Sequence, residues 1–172
     1  MPDIEVHIDL QGRTRQVGLA RRNMVRGAET IVFEYDPKWL ADPDRFSIEP
    51  ALTLSRGAFA PPAGQPIFGS IGDSAPDTWG RRLMQRAERH QAEREGRAVR
   101  TLTESDYLLG VSDVTRLGAL RFRWMDDDAF QAPTLSGVPA LIELGRLLQV
   151  TERILRDEET YEDLQLIFAP GS

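Results

Sequence analysis

Residues 68–86, FGSIGDSAPDTWGRRLMQR, decide the fold because they separate two parts of the sequence with different patterns. Before them, apolar and polar side chains alternate in short runs, which is typical of β-strands. After them, apolar side chains recur every three or four positions, which is typical of helices. The sequence therefore predicts an α+β fold: a small N-terminal antiparallel β subdomain with a packed helix, followed by a mainly helical segment with one or two strands.

The local chemistry of this stretch predicts where its helix begins. The glycines near its start permit a sharp turn, and Asp73 or Ser74 can accept the free amide groups of a first helical turn. Pro76 fits early in a helix, where its missing N–H costs nothing. We therefore predict that the helix begins at about Ala75.

The apolar positions of the helix predict the face that it buries. Trp79, Leu83 and Ala87 recur every four residues and mark one narrow stripe. The stripe is surrounded by five arginines, Arg81, Arg82, Arg86, Arg89 and Arg94. These arginines form either a solvated helix face, as charge runs usually do, or a functional patch.

Two further spacings in the helix predict specific contacts. Asp77 lies four residues before Arg81, so the two side chains can meet on one helix face. Gly80 costs roughly 1 kcal/mol of helix propensity, and its presence beside Trp79 indicates that another backbone approaches closely there.

Short alternating runs predict the β subdomain, with strands at residues 4–10, 15–19, 30–35, 46–48 and 51–54. The first two strands would form a hairpin through a turn at Gln11 and Gly12. Residues 55–65 are rich in Pro and Gly and are predicted as a loop in which Phe59 packs against the protein.

A helix is predicted soon after residue 100 from capping-box spacing, in which a Thr and an acidic residue three positions later exchange hydrogen bonds. Thr101 with Glu104 and Thr103 with Asp106 both have this spacing. Gly110 would end the helix.

The remaining elements follow from apolar periodicity. Residues 117–124 are predicted as a strand, and residues 139–156 as the longest helix. The acidic residues 157–159 fit a helix C-terminus poorly and favour a break there. Thr160 with Asp163 would then cap a last helix.

Charge and composition narrow the class of protein. Residues 96–100 are a basic run and the predicted boundary between a β-rich subdomain at residues 1–98 and a helical segment at residues 99–172. The net charge is −6, which argues against direct nucleic-acid binding by the chain alone. No apolar run approaches the roughly 20 residues of a membrane helix. We therefore predict a cytoplasmic protein with no membrane contact.

The sequence predicts neither a metal site nor a catalytic residue. It has no Cys, which excludes disulfides, thiolate metal sites and Cys nucleophiles. The adjacent carboxylates at residues 126–128 rarely converge on one ion without help, and neither His7 nor His90 is near them in sequence. The Lys, phosphate loop and Mg²⁺ ligands of a kinase are not recognisable.

The segment at residues 73–82, DSAPDTWGRR, resembles the signature in the N-terminal part of HipA-family proteins, the kinase toxins of bacterial toxin–antitoxin pairs. Three further pieces agree in order: FEYD at residues 33–36, YLLGV at 107–111 and GALRF at 118–122. The resemblance identifies the signature residues as structural or interface candidates, namely Asp73, Ser74, Pro76, Asp77, Trp79, Gly80, Arg81 and Arg82.

The resemblance also implies what the complete protein would do. The chain would lead into a kinase N-lobe, with Gly171 and Ser172 at the entrance of an incomplete glycine-rich ATP loop. The full-length protein would use ATP and Mg²⁺ to phosphorylate a translation factor such as an aminoacyl-tRNA synthetase, whereas this chain alone would hold no cofactor and be inactive. Its partners would be the kinase C-terminal domain of the same protein and a DNA-binding HipB-like antitoxin.

Two alternatives remain. The chain could be a standalone antitoxin that binds and neutralises a shortened HipA-like kinase, although such a protein is expected to end near residues 96–100. It could also be an unrelated β-rich scaffold whose arginine helix binds acidic partners.

Overall fold

The structure is a computed structural model that describes residues 2–25, 27–111, 113, 116, 118–130 and 144–168. Five strands and six helices lie within these residues. In chain order they are β1 (Ile4–Leu10), β2 (Arg13–Val25), β3 (Ala28–Tyr35), α1 (Pro37–Ala41), β4 (Ala58–Phe59), α2 (Gly69–Gly72), α3 (Thr78–Arg94), α4 (Glu104–Leu109), β5 (Leu120–Trp124), α5 (Leu144–Leu155) and α6 (Tyr161–Phe168).

The strands form one antiparallel sheet in the order β4-β3-β2-β1-β5. A tight turn joins β1 to β2 at Gln11 and Gly12, whose φ angles of 54° and 74° are left-handed, as a two-residue hairpin requires. Strand β5 comes from much later in the sequence and pairs with β1, with Phe122 opposite Val6. The predicted hairpin and the predicted α+β fold are confirmed.

Strand β2 extends from Arg13 to Val25, whereas the predicted strand ends at residue 19. Its second half lacks the alternation of apolar and polar residues, and ion pairs with β3 hold it in place. Arg21 lies 2.8 Å from Glu34, an acid on the neighbouring strand β3. Arg22 lies 2.6 Å from Glu29 on the same strand. The polar run that follows Leu19 therefore stays extended and paired to the end of β2.

The two strands predicted between residues 46 and 54 are wrong. These residues form a loop in which Leu52 is fully buried and its carbonyl accepts a hydrogen bond from the Tyr35 hydroxyl at 2.9 Å. Strand β4 lies instead inside the predicted loop, where the partly buried Phe59 packs on the core as predicted. Leu52 and the partly buried Ile48 pack on the core from this loop through side-chain contacts and need no strand partner, whereas Phe46 and Leu54 are exposed.

The buried apolar side chains form two clusters. The larger one lies between one face of the sheet and helices α1, α2 and α4, to which Trp39, Ile71 and Leu108 belong. The smaller one joins three helices and contains Leu83, Val150, Ile154 and Leu164. Helix α3 therefore buries Leu83 against α5 and α6. Its connection to the sheet runs through α4, to which Arg81 is bound.

Gly18 on β2 occupies a position that has no room for a side chain. A Cβ atom there would lie 2.6 Å from the Phe33 ring and closer still to the Glu34 carbonyl oxygen. Gly18→Ala would push β2 and β3 apart, and we expect a loss of about 1–3 kcal/mol in the free energy of unfolding, measured by urea denaturation.

Gly69→Ala is the matched control, because the nearest atom to its Cβ would be a Glu49 carboxylate oxygen at 3.9 Å. We expect that change to stay within about 0.5 kcal/mol. Equal losses in the two variants would contradict the close packing at Gly18.

Candidate functional site

The signature segment first makes a short helix and then a capped entry into α3. Helix α2 takes up residues 69–72, and the amides of Ser74 and Ala75 donate to the carbonyls of Ile71 and Gly72. The first free amides therefore follow Pro76, and α3 begins at Thr78 with Asp77 as its N-cap. The predicted start at Ala75 with Asp73 or Ser74 as the cap is wrong, because those residues complete the preceding turn.

Gly80 allows Asp77 to cap the helix. The Asp77 side chain accepts the Gly80 amide at 2.8 Å. A Cβ atom on Gly80 would lie 2.8 Å from the Cβ of Pro76 and 3.4 Å from the Asp77 carboxylate. The close neighbour predicted at Gly80 exists, but it is the Pro76 side chain in the same segment and not another backbone.

Arg81 joins α3 to α4. Its guanidinium donates two hydrogen bonds to the Glu104 carboxylate at 2.7 and 2.8 Å, and it lies 4.4 Å above the centre of the Tyr107 ring. The hydrogen bond to Glu104 raises the pKa of Arg81. The predicted pair between Asp77 and Arg81 is wrong, because the Asp77 carboxylate caps the helix and Arg81 finds an acid 23 positions away.

A second arginine holds the signature segment to the core. Arg116 donates to the carbonyls of Ser74, Leu108 and Val111 at 2.7, 2.8 and 2.9 Å, and its guanidinium lies 4.8 Å from the centre of the Phe122 ring. Burial lowers the pKa of Arg116 to about 10. The role of Arg116 could not be predicted from the sequence, because its carbonyl partners lie 5, 8 and 42 positions earlier and no local pattern links them.

Trp79 faces outward. It is 50% exposed, whereas Leu83, one turn later, is 1% exposed. Helix α3 packs against α5 and α6 from Leu83 onward, so its first turn extends beyond the smaller cluster. The predicted stripe is therefore wrong at Trp79 and confirmed at Leu83, with Ala87 partly buried beside it.

Arg86 fixes the turn between α5 and α6 against α3. It donates to the Ile154 carbonyl at 3.2 Å and to the Glu159 carboxylate at 3.1 Å, and it also pairs with Asp157. Helix α5 ends at Leu155, and the break predicted at residues 157–159 is confirmed. The first part of the predicted longest helix, residues 139–143, lies outside the described residues.

Two predicted capping boxes are confirmed. In α4, Thr103 and Asp106 exchange side-chain and backbone hydrogen bonds, and Gly110 is the C-cap. In α6, the Thr160 amide donates to Asp163 at 2.9 Å, and the Asp163 amide donates to the Thr160 hydroxyl at 3.2 Å. Of the two capping pairs that the sequence allowed for α4, the one from Thr103 forms.

The basic run at residues 96–100 is tied to α3. Arg97 donates to the buried Glu88 carboxylate at 2.6 Å, and the Arg100 amide donates to it at 3.0 Å. The hydrogen bond from Arg97 lowers the pKa of Glu88. Division of the chain into residues 1–98 and 99–172 stays a prediction.

The remaining candidates bring no reactive groups together. In the part of the chain that the structure describes, no group of three or more His, Asp or Glu side chains could hold a metal ion. The His7 ring makes a 2.9 Å hydrogen bond to Glu5 and an edge-on contact with Phe130. Gly171 and Ser172, at the predicted entrance of an ATP loop, lie outside the described residues, so no described residue is assigned to ATP or Mg²⁺.

Comparison with known proteins gave one family. The family model described as HipA N-terminal domain matches residues 10–105, which is more than half of the chain and includes the signature segment and all of α3. A search of curated proteins found no match. No described helix combines the length and apolar composition needed to cross a bilayer.

The contrast between Trp79 and Leu83 can be tested directly. Leu83→Ala should cost about 2–5 kcal/mol in the free energy of unfolding, because Leu83 is in the smaller cluster. Trp79→Ala should cost about 1 kcal/mol or less, because half of the ring is already in water. Urea denaturation of both variants measures this, and a larger loss at Trp79 than at Leu83 would contradict the outward orientation.

Acid should weaken the attachment of α6. Arg153 donates to the Asp163 carboxylate at 2.8 Å, and this pair lowers the pKa of Asp163 to about 2. Since the unfolded carboxyl has a pKa of about 3.9, its stabilising contribution is complete above that value and is lost as the pH falls towards 2. Asp163→Asn should therefore lower the Tm most above about pH 5 and least near pH 2.

The exposed neighbour Glu162 provides the control as Glu162→Gln. In thermal melts from pH 2 to 6, the Tm of this variant should change with pH as the Tm of the wild-type protein does. A wild-type dependence for Asp163→Asn as well would contradict the role of the Arg153 pair.

Proposed function

This chain belongs to the HipA N-terminal domain family, and we propose that it is the N-terminal, non-catalytic part of a HipA-like serine/threonine kinase toxin. The observation that carries the proposal is the family match over residues 10–105. The later motifs at residues 107–111 and 118–122, which follow in the family's order, support it beyond the matched region.

The contacts of the signature residues indicate a structural role in the kinase, without direct contact to a reacting substrate. Asp77 caps α3, Arg81 joins α3 to α4, and the Ser74 carbonyl is held by Arg116. These side chains are used in building the protein, and they do not converge on a position where a substrate atom could react. A rigid platform for a kinase domain fits this arrangement.

The proposed activity of the complete protein rests on its resemblance to HipA-family kinases. It would transfer phosphate from ATP, with Mg²⁺, to a translation factor such as an aminoacyl-tRNA synthetase in the cytoplasm. A DNA-binding HipB-like antitoxin would neutralise it. The kinase C-terminal domain of the same protein would supply the catalytic aspartate, the Mg²⁺ ligands and most ATP contacts.

The alternative is a separate antitoxin that binds a shortened HipA-like kinase. It would use the same fold, and the exposed Trp79 offers a surface for such binding. Coexpression with the kinase gene of the same operon separates the two roles, since an antitoxin suppresses growth arrest by that kinase and a platform does not.

The proposal predicts that residues 1–172 alone neither bind ATP nor transfer phosphate. Calorimetric titration of ATP with Mg²⁺ should give no binding heat, and incubation with radiolabelled ATP should give no labelled protein. The product of the complete reading frame should autophosphorylate under the same conditions. Micromolar ATP binding by residues 1–172, or an inert product of a longer reading frame, would contradict the proposal.

A further inference from the structure

A groove between α3 and the end of α5 carries exposed apolar side chains. Trp79 and Leu155, which are 50% and 76% exposed, stand on opposite sides of it. Buried Leu83 and Ile154 line its floor, and its volume is about 200 Å³. Large apolar side chains that cluster at the surface of a folded protein mark interaction sites more often than isolated ones do.

The groove is held open by the protein itself. Arg86 reaches from α3 to the Ile154 carbonyl and to Glu159, and its contact with Asp157 occupies that carboxylate at one end of the groove. Both walls are therefore fixed relative to each other before anything binds. A preformed site of this kind loses little conformational freedom on binding, which favours measurable affinity for a short segment.

The charge of the groove indicates what it would bind. Within the described residues, Arg82 in the groove and Arg89 two turns further along the same face of α3 have no acidic partner. The neighbouring arginines 81, 86, 97 and 100 are all paired with carboxylates. An occupant that combines an apolar side chain with carboxylates would fill the groove and pair the free guanidinium groups.

The undescribed parts of the chain do not have this composition. Residues 131–143 contain one acid, Glu143, and residues 169–172 contain none. Neither segment therefore carries the several carboxylates of the expected occupant.

We propose that the groove of Trp79, Arg82, Leu83, Ile154 and Leu155 binds an acidic peptide segment of a separate protein, with one large apolar side chain inserted between Trp79 and Leu155. Trp and Arg dominate the energetics of protein interfaces, because they combine large contact area with directional hydrogen bonds. The proposal does not depend on the kinase activity, since it concerns only residues of this chain.

A peptide selection tests the proposal. The 172-residue chain is used to select from a phage-displayed library of random 12-residue peptides, and the strongest binder is synthesised for fluorescence anisotropy. We expect it to carry at least two Asp or Glu beside a large apolar residue. Replacing its acids by Asn or Gln should weaken binding at least tenfold, as should raising the salt from 50 to 500 mM.

Substitutions in the chain locate the binding site. Arg82→Glu and Leu155→Ser should each weaken binding at least tenfold. The matched controls, Arg56→Glu and Val99→Ser, change exposed residues of the same kinds elsewhere and should stay within twofold. Failure to enrich any peptide, enrichment of neutral or basic peptides, or binding that survives both groove substitutions would overturn the proposal.

Two other occupants of the groove are tested separately. The first is a second copy of this chain, whose exposed Met125 and acidic residues 126–128 combine an apolar side chain with carboxylates as the expected peptide does. Self-association in sedimentation velocity that is lost in Arg82→Glu would overturn the proposal in favour of a second copy. The second is the rest of a longer reading frame, and loss of peptide binding in that longer product would overturn the proposal in its favour, whatever its kinase activity.

Discussion

The double hydrogen bond between Arg81 and Glu104 is the interaction on which the arrangement of the two clusters depends. Helix α3 places its buried leucine in the smaller cluster, so it needs another connection to the sheet. Glu104 supplies it, because the next residue, Ser105, donates its amide and hydroxyl to the buried Glu29 of β3 at 2.7 and 2.9 Å. The connection therefore runs from the sheet to α4 through Glu29, and from α4 to α3 through the Arg81 pair, beside a 2.8 Å hydrogen bond from Gln85 of α3 to the Tyr107 hydroxyl.

Charged connections of this kind specify geometry more than they add stability. A paired charge that is removed from water loses hydration energy comparable to what it regains from its partner, so its net contribution is small. Breaking the pair is costly, because Glu104 would then remain partly buried without its partner. Because forming the pair adds little stability and breaking it costs much, the pair favours one relative placement of α3 and α4. The same placement fixes Trp79 and Arg82 at the surface.

The parts of the fold that could be predicted from the sequence are those determined by neighbouring residues. The turn at Gln11 and Gly12 and the capping boxes at Thr103 and Thr160 need only residues within a few positions, and all three are confirmed. The exposure of Trp79 could not be predicted from the sequence. Helical spacing shows which face of α3 carries Trp79, but it does not show how far along that face the packing helices α5 and α6 extend. The partner of Arg81 lies 23 positions away, and periodicity carries no information over that distance.

Contacts between distant parts of the chain account for a basic helix in an acidic protein. Residues 76–100 carry seven arginines against four acids, a local charge of +3 in a chain of net charge −6. Three of these arginines pair with acids outside the segment, as Arg86 does with Glu159, and a fourth, Arg97, pairs with Glu88 inside it. Much of the local positive charge therefore takes part in the contacts that hold α3 to α4 and to the turn between α5 and α6. Within the described residues, Arg82, Arg89 and Arg94 have no carboxylate partner. Arg94 lies over the Tyr161 ring, and Arg82 shares the groove with the exposed ring of Trp79. A surface that combines free guanidinium groups with an exposed indole on a fixed helix is suited to recognition, because its shape and charge are both set before a partner arrives.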